Sequence, residues 1–480
     1  MALRIFNVLG REKQDFIPLR EGRVGMYVCG PTVYDEPHIG HAKNYIAFDV
    51  VVRWLRKSGY QVLYVQNITD VGHLRDTGED PIQIVARRTQ SGPMQVAEFY
   101  ARSFFESMDA LGNLRPDISP RASGHVPEQI KMIETLIAKG HAYVVNGSVY
   151  FDVTTDEDYG KLSNRTKDEQ ESGTRIAERS EKRNPEDFAL WKFAEPEHIL
   201  RWDSPWGEGF PGWHIECSAM AKKYLGETFD IHGGGIDNLF PHNESEIAQS
   251  ECANDAPFAR YWMLVGSLTM DGVKMSKSLG NTLTIKNALK QFRPEIIRYF
   301  MQTVHYSNPF DFSVGALESA GKGWEGMFNA VRLTRRMMNS AAAGADGNGI
   351  LPVLEAKQRA FADAMDNDFN TPIAIAELQD LTREVNTLLN SGATIGLDVL
   401  TAIEAAYTAT AGGVLAVLPS ADAAASDGAR EAALIEMLIA ARAQARASKN
   451  WAESDRIRNE LAKIGVILED RADGTIWKIG

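Results

Sequence analysis

Cysteine is scarce in this chain: of 480 residues only Cys29, Cys217 and Cys252 are cysteines. Three, widely scattered, exclude a disulfide framework and fit a reducing compartment, where cysteines carry metal or catalytic chemistry. Long apolar runs are missing too. Nothing approaches the roughly 18 uninterrupted apolar residues a membrane span needs, and the first residues show no basic n-region followed by an apolar h-region, so no secretory signal is expected. A cytoplasmic protein without a membrane partner is the expectation. Positive charge is not in excess: 51 Lys and Arg against 64 Asp and Glu give a formal charge of −13. That argues against a generic nucleic-acid binder and leaves room for a local basic patch. The rest is ordinary, 44% hydrophobic and 24% charged, over a length that accommodates roughly two to four domains.

What is present begins as alternating strand and helix. Val24–Cys29 is a short apolar run closed by Gly30 and Pro31. Gly40–Lys57 places Ile46, Val50, Trp54 and Leu55 on one helical face and stops before Gly59. Tyr60–Thr69 alternates as a strand. Strand, helix and strand in this order predict a βαβ unit, hence a parallel sheet with a ligand at its carboxyl edge. The pattern blurs after Ser119, and Lys161–Asp187 is a charged stretch that reads equally as a solvated or a binding loop. It returns at Trp191 and continues to the segment TMDGVKMSKS, so the sheet is expected to be split by an insertion. From Gly315 onward the pattern is helical, with linker candidates at 341–349 and 419–428, a closing helix Arg430–Ile464 and a strand-like tail ending in Trp477.

Two short motifs suit phosphate. PHIGHA puts His38 and His41 at the start of the first long helix, where unpaired backbone N–H groups and the helix dipole favour an anion, and Gly40 leaves room for close approach. KMSKS places Lys274 and Lys277 on a loop flanked by Gly272 and Gly280, suited to a triphosphate and to the charge that builds on a leaving pyrophosphate. A third constellation involves the cysteines. His242 and Glu246 stand four apart after Pro241, on one helical face. Cys29 and Cys217, each read as the end of a strand-like run, can approach the same point at the sheet's edge. Such a set suits Zn²⁺, although from spacing alone two inert buried cysteines would look the same.

HIGH followed by KMSKS, both unsubstituted, is the signature of class I aminoacyl-tRNA synthetases. VCGPTVYD…HIGH, DFALWK, PGWHIECSAM, DIHGGG…FPH and KMSKS together resemble the cysteinyl-tRNA synthetase family, and the similarity runs from the first strand to the last residues. The resemblance implies one Zn²⁺ held by Cys29, Cys217, His242 and Glu246 at the floor of the amino-acid pocket, where it would take the substrate sulfur as a further ligand. Cys252 is left as a packing residue. It implies His38, His41, Lys274 and Lys277 as the catalytic groups, and Gly40, Lys277, Gly233, Gly234 and Gly235 as nucleotide contacts. Trp213 would pack against the amino acid, with Thr69, His232 and Asp237 lining its pocket. L-cysteine, ATP with Mg²⁺, and the acceptor end and anticodon of tRNA(Cys) are the expected partners, for a monomer.

The fold expected is a Rossmann-type α/β catalytic domain split by an insertion, then an all-α bundle and a small C-terminal module. Its parts would be 1–118 and 201–265 for the two catalytic halves, 119–200 for the insertion and 266–314 for the KMSKS and stem-contact region. An anticodon-binding bundle at 315–418, a linker at 419–429 and an anticodon-recognition module at 430–480 would follow. In that module Arg442, Arg446, Lys449, Arg456 and Arg458 would meet phosphate or bases and Trp451 or Trp477 would stack, unless they form a solvated face and a core. Three departures from the family pattern stand near the site: Asn243 in place of a second histidine, Gln66 in place of arginine, and Val71–Leu74 in place of acidic and lysine residues. A cysteine:amino-sugar ligase on the same scaffold and a non-catalytic tRNA-binding paralogue are the rival readings.

Overall fold

The computed structural model describes residues 2–72, 80–165, 181–196, 198–274, 282–419, 421–471 and 474–479, so most of the charged stretch and residues 275–281 of the second motif lie outside the described residues. The chain divides into two compact units, 1–418 and 419–480.

The first unit opens with a hairpin of β1 (Arg4–Asn7) and β2 (Glu12–Asp15), followed by β3 (Arg23–Val28). Alternation along β3 decides what meets what. Val24, Met26 and Val28 enter the core shared with α1 (Ile39–Lys57), whereas Tyr27 and Cys29 enter a second core on the opposite face. Both faces are covered, which is why the strand reads as a continuous apolar run. β4 (Gln61–Gln66) lies parallel to β3, and α2 (Pro81–Thr89) and α3 (Pro93–Ala110) follow.

After α4 (Val126–Ala138) the chain forms an antiparallel sheet of β5 (Ala142–Val145), β6 (Ser148–Phe151), β7 (Phe188–Phe193) and β8 (Gly209–Pro211), in that order. This is the insertion. It reaches past the expected boundary at residue 200, because β8 pairs with β7. α5 (Trp213–Leu225), β9 (Phe229–Gly235), α6 (Glu244–Asn254) and β10 (Ala259–Val265) complete the parallel sheet, whose order is β10-β9-β3-β4. The chain leaves β3 toward β4 and returns to β9 on the other side, so the crevice between β3 and β9 is the switch point at which such sheets bind ligands.

A short hairpin, β11 (Leu268–Met270) and β12 (Val273–Lys274), leads to α7 (Ile285–Leu289), α8 (Pro294–Gln302) and β13 (Phe310–Phe312), with β11 and β13 parallel. Its turn is made by Asp271 and Gly272, both at positive φ, the backbone that a two-residue hairpin turn requires. Helices α9 (Val314–Met338), α10 (Leu351–Asp366), α11 (Thr371–Leu389) and α12 (Leu397–Tyr407) form the bundle, with Trp324, Met327, Phe361, Leu381, Val385 and Tyr407 buried in its core.

The second unit consists of α13 (Ala421–Ala447), α14 (Trp451–Lys463) and the hairpin β14 (Val466–Arg471) and β15 (Gly474–Ile479) around Ile435, Ile457, Leu461 and Val466. Two expectations change here. The stretch 419–429 is not an extended linker, since α13 begins at Ala421; its alanines are good helix formers despite the Gly and Ser beside them. The single closing helix is two helices, because Asn450 caps a new one by accepting the Glu453 N–H.

The bundle and the parallel sheet are joined through α1. Asp49 on α1 meets Arg298 on α8 at 2.5 Å, and both side chains are almost fully buried, at 2% and 1% exposure. Arg298 also donates to the Leu415 carbonyl beyond α12 at 3.1 Å and to Asn113 at 2.5 Å. Asp49→Asn keeps an oxygen for the Leu114 N–H but turns a donor toward the guanidinium. Because an uncompensated buried charge is left behind, the expected loss is about 3 kcal/mol or more. The shift in denaturant midpoint checks this, and a midpoint equal to wild type would refute it.

Candidate active site

At the carboxyl edge, between β3 and β9, lies a cavity of about 660 Å³ lined by residues of α1, α5, β10 and the end of β9 and of the segments after β3, β4 and β9. Cys29, His38, Gly40, His41, Thr69, Trp213, Cys217, Gly235, Asp237 and His242 all reach it. Residues expected to act together from sequence thus share one cleft.

Its floor holds the cysteine, histidine and glutamate set. One ligand atom each from Cys29, Cys217, His242 and Glu246 lies within 4.8 Å of the others, and all four residues are buried. Cys29 stands just past the end of β3 and is turned toward α5 by strand alternation. Cys217 is not at a strand end, as expected, but in α5. That helix is preceded by Gly212 at its N-cap, where a Cβ would fall 1.9 Å from the Ala189 carbonyl oxygen. Ile215, Ala219 and Met220 make IECSAM an apolar run, but they are the buried residues of a helix, and a short apolar run does not distinguish the two. His242 lies in the turn before α6 and Glu246 in its first turn.

The contacts are specific. Cys217 Sγ is 3.6 Å from His242 Nε2, Cys29 Sγ is 3.6 Å from Glu246 Oε1, and His242 Nε2 is 2.6 Å from that same oxygen. The other carboxylate oxygen meets His232 Nε2 at 2.5 Å. His232, expected in the pocket, therefore does not line the cavity. It stands behind Glu246, with no exposure, stacked on Trp262. Asn243 has its amide 3.8 Å from Cys29 Sγ and 3.4 Å from Glu246 Oε1. The departure at this position supplies a donor to the cluster.

Protonation follows from these neighbours. Burial opposes charge on Glu246, but His232 and His242 outweigh it and hold the carboxyl well below its usual range. Burial likewise opposes charge on His242, and Glu246 with Cys217 outweighs it, raising the imidazole to about 10. A hydrogen bond from Cys29, aided by His242, lowers the Cys217 thiol to about 6 against burial. Cys29 is pushed up by its bond to Cys217 and by burial. Near neutral pH the set is thus a thiol, a thiolate, a carboxylate and an imidazolium. Two sulfurs, a nitrogen and an oxygen at this spacing fit zinc, whose four ligands stand about 3–4 Å apart around a tetrahedron.

Above the floor, the two histidines of α1 cap their own helix. His38 Nδ1 accepts the Gly40 N–H at 3.1 Å and His41 Nδ1 accepts the His38 N–H at 3.1 Å. Each ring proton is therefore on Nε2, and the rings stack at 3.9 Å. This alters the expected phosphate site. The first-turn N–H groups of Ile39, Gly40, His41 and Ala42 bond to Leu283 O, His38 Nδ1, His38 O and His38 O. Backbone amides are committed, and the helix start presents the two stacked imidazole rings to the cleft. Of the three glycines, only Gly235 lines the cavity. A Cβ on Gly233 would lie 2.4 Å from the Phe48 ring, and one on Gly234 would lie 3.7 Å from Cys29 Sγ. Gly233 is thus required by packing, and Gly234 stands beside Cys29 without lining the cavity. Lys274 ends β12, and Lys277 lies outside the described residues.

Other groups were missed from sequence. Asn67, fully buried, accepts the Gly30 N–H at 2.7 Å and donates to Thr69 at 3.1 Å. His214, inside PGWHIECSAM, sits 2.9 Å from His242 by their Nδ1 atoms. Lys43, two residues past His41, lines the same cavity. Only their closeness to the motifs marked them. Gln66 is buried and accepts the Tyr64 hydroxyl at 2.6 Å. In the second unit Arg442 is bidentate to Asp470 at 2.7 and 2.8 Å, which Arg446 joins at 2.7 Å. Arg456 pairs with Glu453, Arg458 with Asp455, and Trp477 donates to Glu436. Trp451 is exposed.

Comparison with known proteins places this geometry. The family model described as tRNA synthetases class I (C) catalytic domain matches residues 15–322, the DALR domain 360–418, and the Cysteinyl-tRNA ligase anticodon binding domain 430–477. The chain is 50% identical to the cysteine–tRNA ligase of Chlorobaculum tepidum, over 99% of each chain. It is 50% identical to that of Deinococcus radiodurans, over 99% of this chain and 96% of the relative. Among solved structures, Mycobacterium tuberculosis methionyl-tRNA synthetase bound by methionyl-adenylate shares the fold with a TM-score of 0.58 at 14% identity, covering 81% of this chain and 89% of that one.

Loading such a floor with a metal has a proton count. A thiolate is needed from Cys29 and a neutral ring from His242. Zinc titrated into the metal-free protein near pH 7.5 is expected to release about two protons per ion. Calorimetry in buffers of different ionisation enthalpy measures this, and a release near zero would refute the protonation pattern.

Proposed function

The chain belongs to the cysteinyl-tRNA synthetase family, and from that premise we propose how it joins cysteine to tRNA at the expense of ATP. The observation that carries the reading is the four-donor floor of Cys29, Cys217, His242 and Glu246, buried under a cleft whose wall bears His38 and His41. These four residues would hold Zn²⁺. When bound, the ion supplies a position that takes a thiolate in preference to a hydroxyl. Trp213, whose ring lies 4.2 Å from His242, packs over the amino acid, and Thr69 and Asp237 line its pocket.

In the first step a carboxylate oxygen of cysteine attacks the α-phosphorus of ATP, which enters with Mg²⁺, and pyrophosphate leaves. The Nε2–H groups of His38 and His41 meet the phosphate oxygens as charge builds, and Lys274 and Lys277 meet the leaving group. Losing one such donor costs on the order of 3 kcal/mol of transition-state stabilisation. In the second step a terminal ribose hydroxyl of tRNA attacks the carbonyl carbon of the adenylate and AMP leaves. No side chain becomes covalently attached. Catalysis is positioning and electrostatics.

The match of residues 430–477 to an anticodon-binding domain favours tRNA over an amino-sugar as acceptor, and the intact histidines favour an enzyme over a silent paralogue. No helix among the described residues is long and apolar enough to cross a membrane. A monomer in the cytoplasm is the state proposed.

Cysteine is expected to drive ATP–pyrophosphate exchange, with serine at least about 100-fold poorer in kcat/KM. Cys217→Ala is expected to lose zinc and exchange together. Cysteine activation by metal-free protein would sink the reading of sulfur by metal, and absence of exchange with cysteine would sink the activity.

A further inference from the structure

Lys43 is 3% exposed, and no ion pair joins it to an acid among the described residues. Burial lowers its ammonium to about 8. An ammonium has three N–H donors, and each has an acceptor here. Lys43 Nζ donates to Gly266 O at 2.6 Å, Ser267 O at 3.2 Å and Asn308 O at 2.8 Å. Nothing is left to donate to a ligand, although the residue lines the cleft. Its partners show what it does instead.

The three carbonyls come from two separate segments. Gly266 and Ser267 connect β10 to β11, and Asn308 precedes β13. The segments touch: a Cβ on Gly266 would lie 2.4 Å from Asn308 O. Three carbonyl oxygens converging on one buried point repel one another unless a cation sits between them. This crossing is the root of the β11–β12 hairpin, whose outer strand ends at Lys274. Beyond residues 275–281 the chain is clipped to the same helix start, by Ile39 N–H to Leu283 O at 2.9 Å and Ile285 N–H to Pro37 O at 3.0 Å. Both flanks of the second basic motif are thus tied to the element that carries the first.

We propose that Lys43 is a positioning residue for adenylate formation: its ammonium holds the carbonyls of Gly266, Ser267 and Asn308 together and so fixes the hairpin bearing Lys274 against the helix bearing His38 and His41. It acts through the hairpin and not on substrate, and the proposal rests on the cysteine-activating reading above. A misplacement of about 1 Å at such a joint is worth up to about 100-fold in rate.

The test is ATP–pyrophosphate exchange with Lys43→Met, Lys43→Arg and Gly266→Ala, beside wild type. Lys43→Met keeps the stem and removes the donors; kcat is expected to fall about tenfold or more, with zinc content and the KM for cysteine within about twofold of wild type. Lys43→Arg, which keeps a cation and donors, is expected to recover part of the loss. Gly266→Ala pushes the same crossing apart while keeping the lysine itself, and is expected to lower kcat with zinc content unchanged. Wild-type kcat in Lys43→Met overturns the proposal. So does a kcat loss matched by equal loss of zinc and of folded protein in Lys43→Met, with Lys43→Arg no better, which would be a stability role. Wild-type kcat in Gly266→Ala overturns the joint in favour of charge alone. A wild-type protein without cysteine-dependent exchange fails the functional reading itself, a result separate from these.

Discussion

A carboxylate shut away from water must be met by cations or donors, and at Glu246 it is met by two histidines, one on each oxygen. Much of the site's architecture follows. His232 can reach Glu246 only if β9 lies beside β3, and it does, with His232 paired to Tyr27 in register. His242 can reach it only from the turn just before α6. The two thiols, held against this cluster, divide one proton: a hydrogen bond from Cys29, aided by His242, lowers Cys217 against burial, while its bond to Cys217 and burial push Cys29 up. Buried groups this close set one another's protonation. Removing one member would leave the others as unpaired buried charges, whose cost exceeds what any one contact contributes.

α1 is the second organising element, and it works along its whole length. Its first turn supplies the imidazole donors. Lys43 reaches the hairpin of the other basic motif, Asp49 reaches Arg298, and Trp54 donates to Asp366 at the end of α10 at 3.1 Å. The sheet, the hairpin and the helical bundle are therefore referenced to one rigid rod about 28 Å long. A bundle that engages RNA far from the cleft would have a stiff connection to the catalytic groups, with no need for a flexible relay.

The sequence made the βαβ start, the split sheet, the helical second half and the four floor residues legible, and each for a physical reason. Period-2 and period-3.6 patterns survive wherever an element buries one stripe, as α1 does. Cys217 was placed on the wrong kind of element because α5 is buried on several sides, so its apolar run carries no period. His232 was assigned to the pocket by the family resemblance, which picks out a residue near the site but does not say how deep it lies. The commitment of the first-turn amides of α1 was invisible, since it depends on Leu283, far away in the chain, and on which ring nitrogen each histidine turns inward. The closing helix was read through Asn450, whose capping role is apparent only once its side chain is seen to bond to Glu453.

A pocket that identified cysteine by hydrogen bonds alone would be poorly placed against serine. The hydroxyl is smaller than the thiol and is the stronger donor and acceptor, so a site able to hold the thiol would hold the hydroxyl at least as well, and exclusion by size works against larger competitors only. Donors such as Asn67 or Thr69 cannot reverse that order. A soft metal can, because it prefers a thiolate to a neutral hydroxyl by charge and by polarisability together. The price is a floor built of groups that are expensive to bury, and the paired histidines behind and beside Glu246 offset that cost. The bond from Asn243 to the same carboxylate fits this account: an amide donor at that position stabilises the buried cluster without adding a further charge.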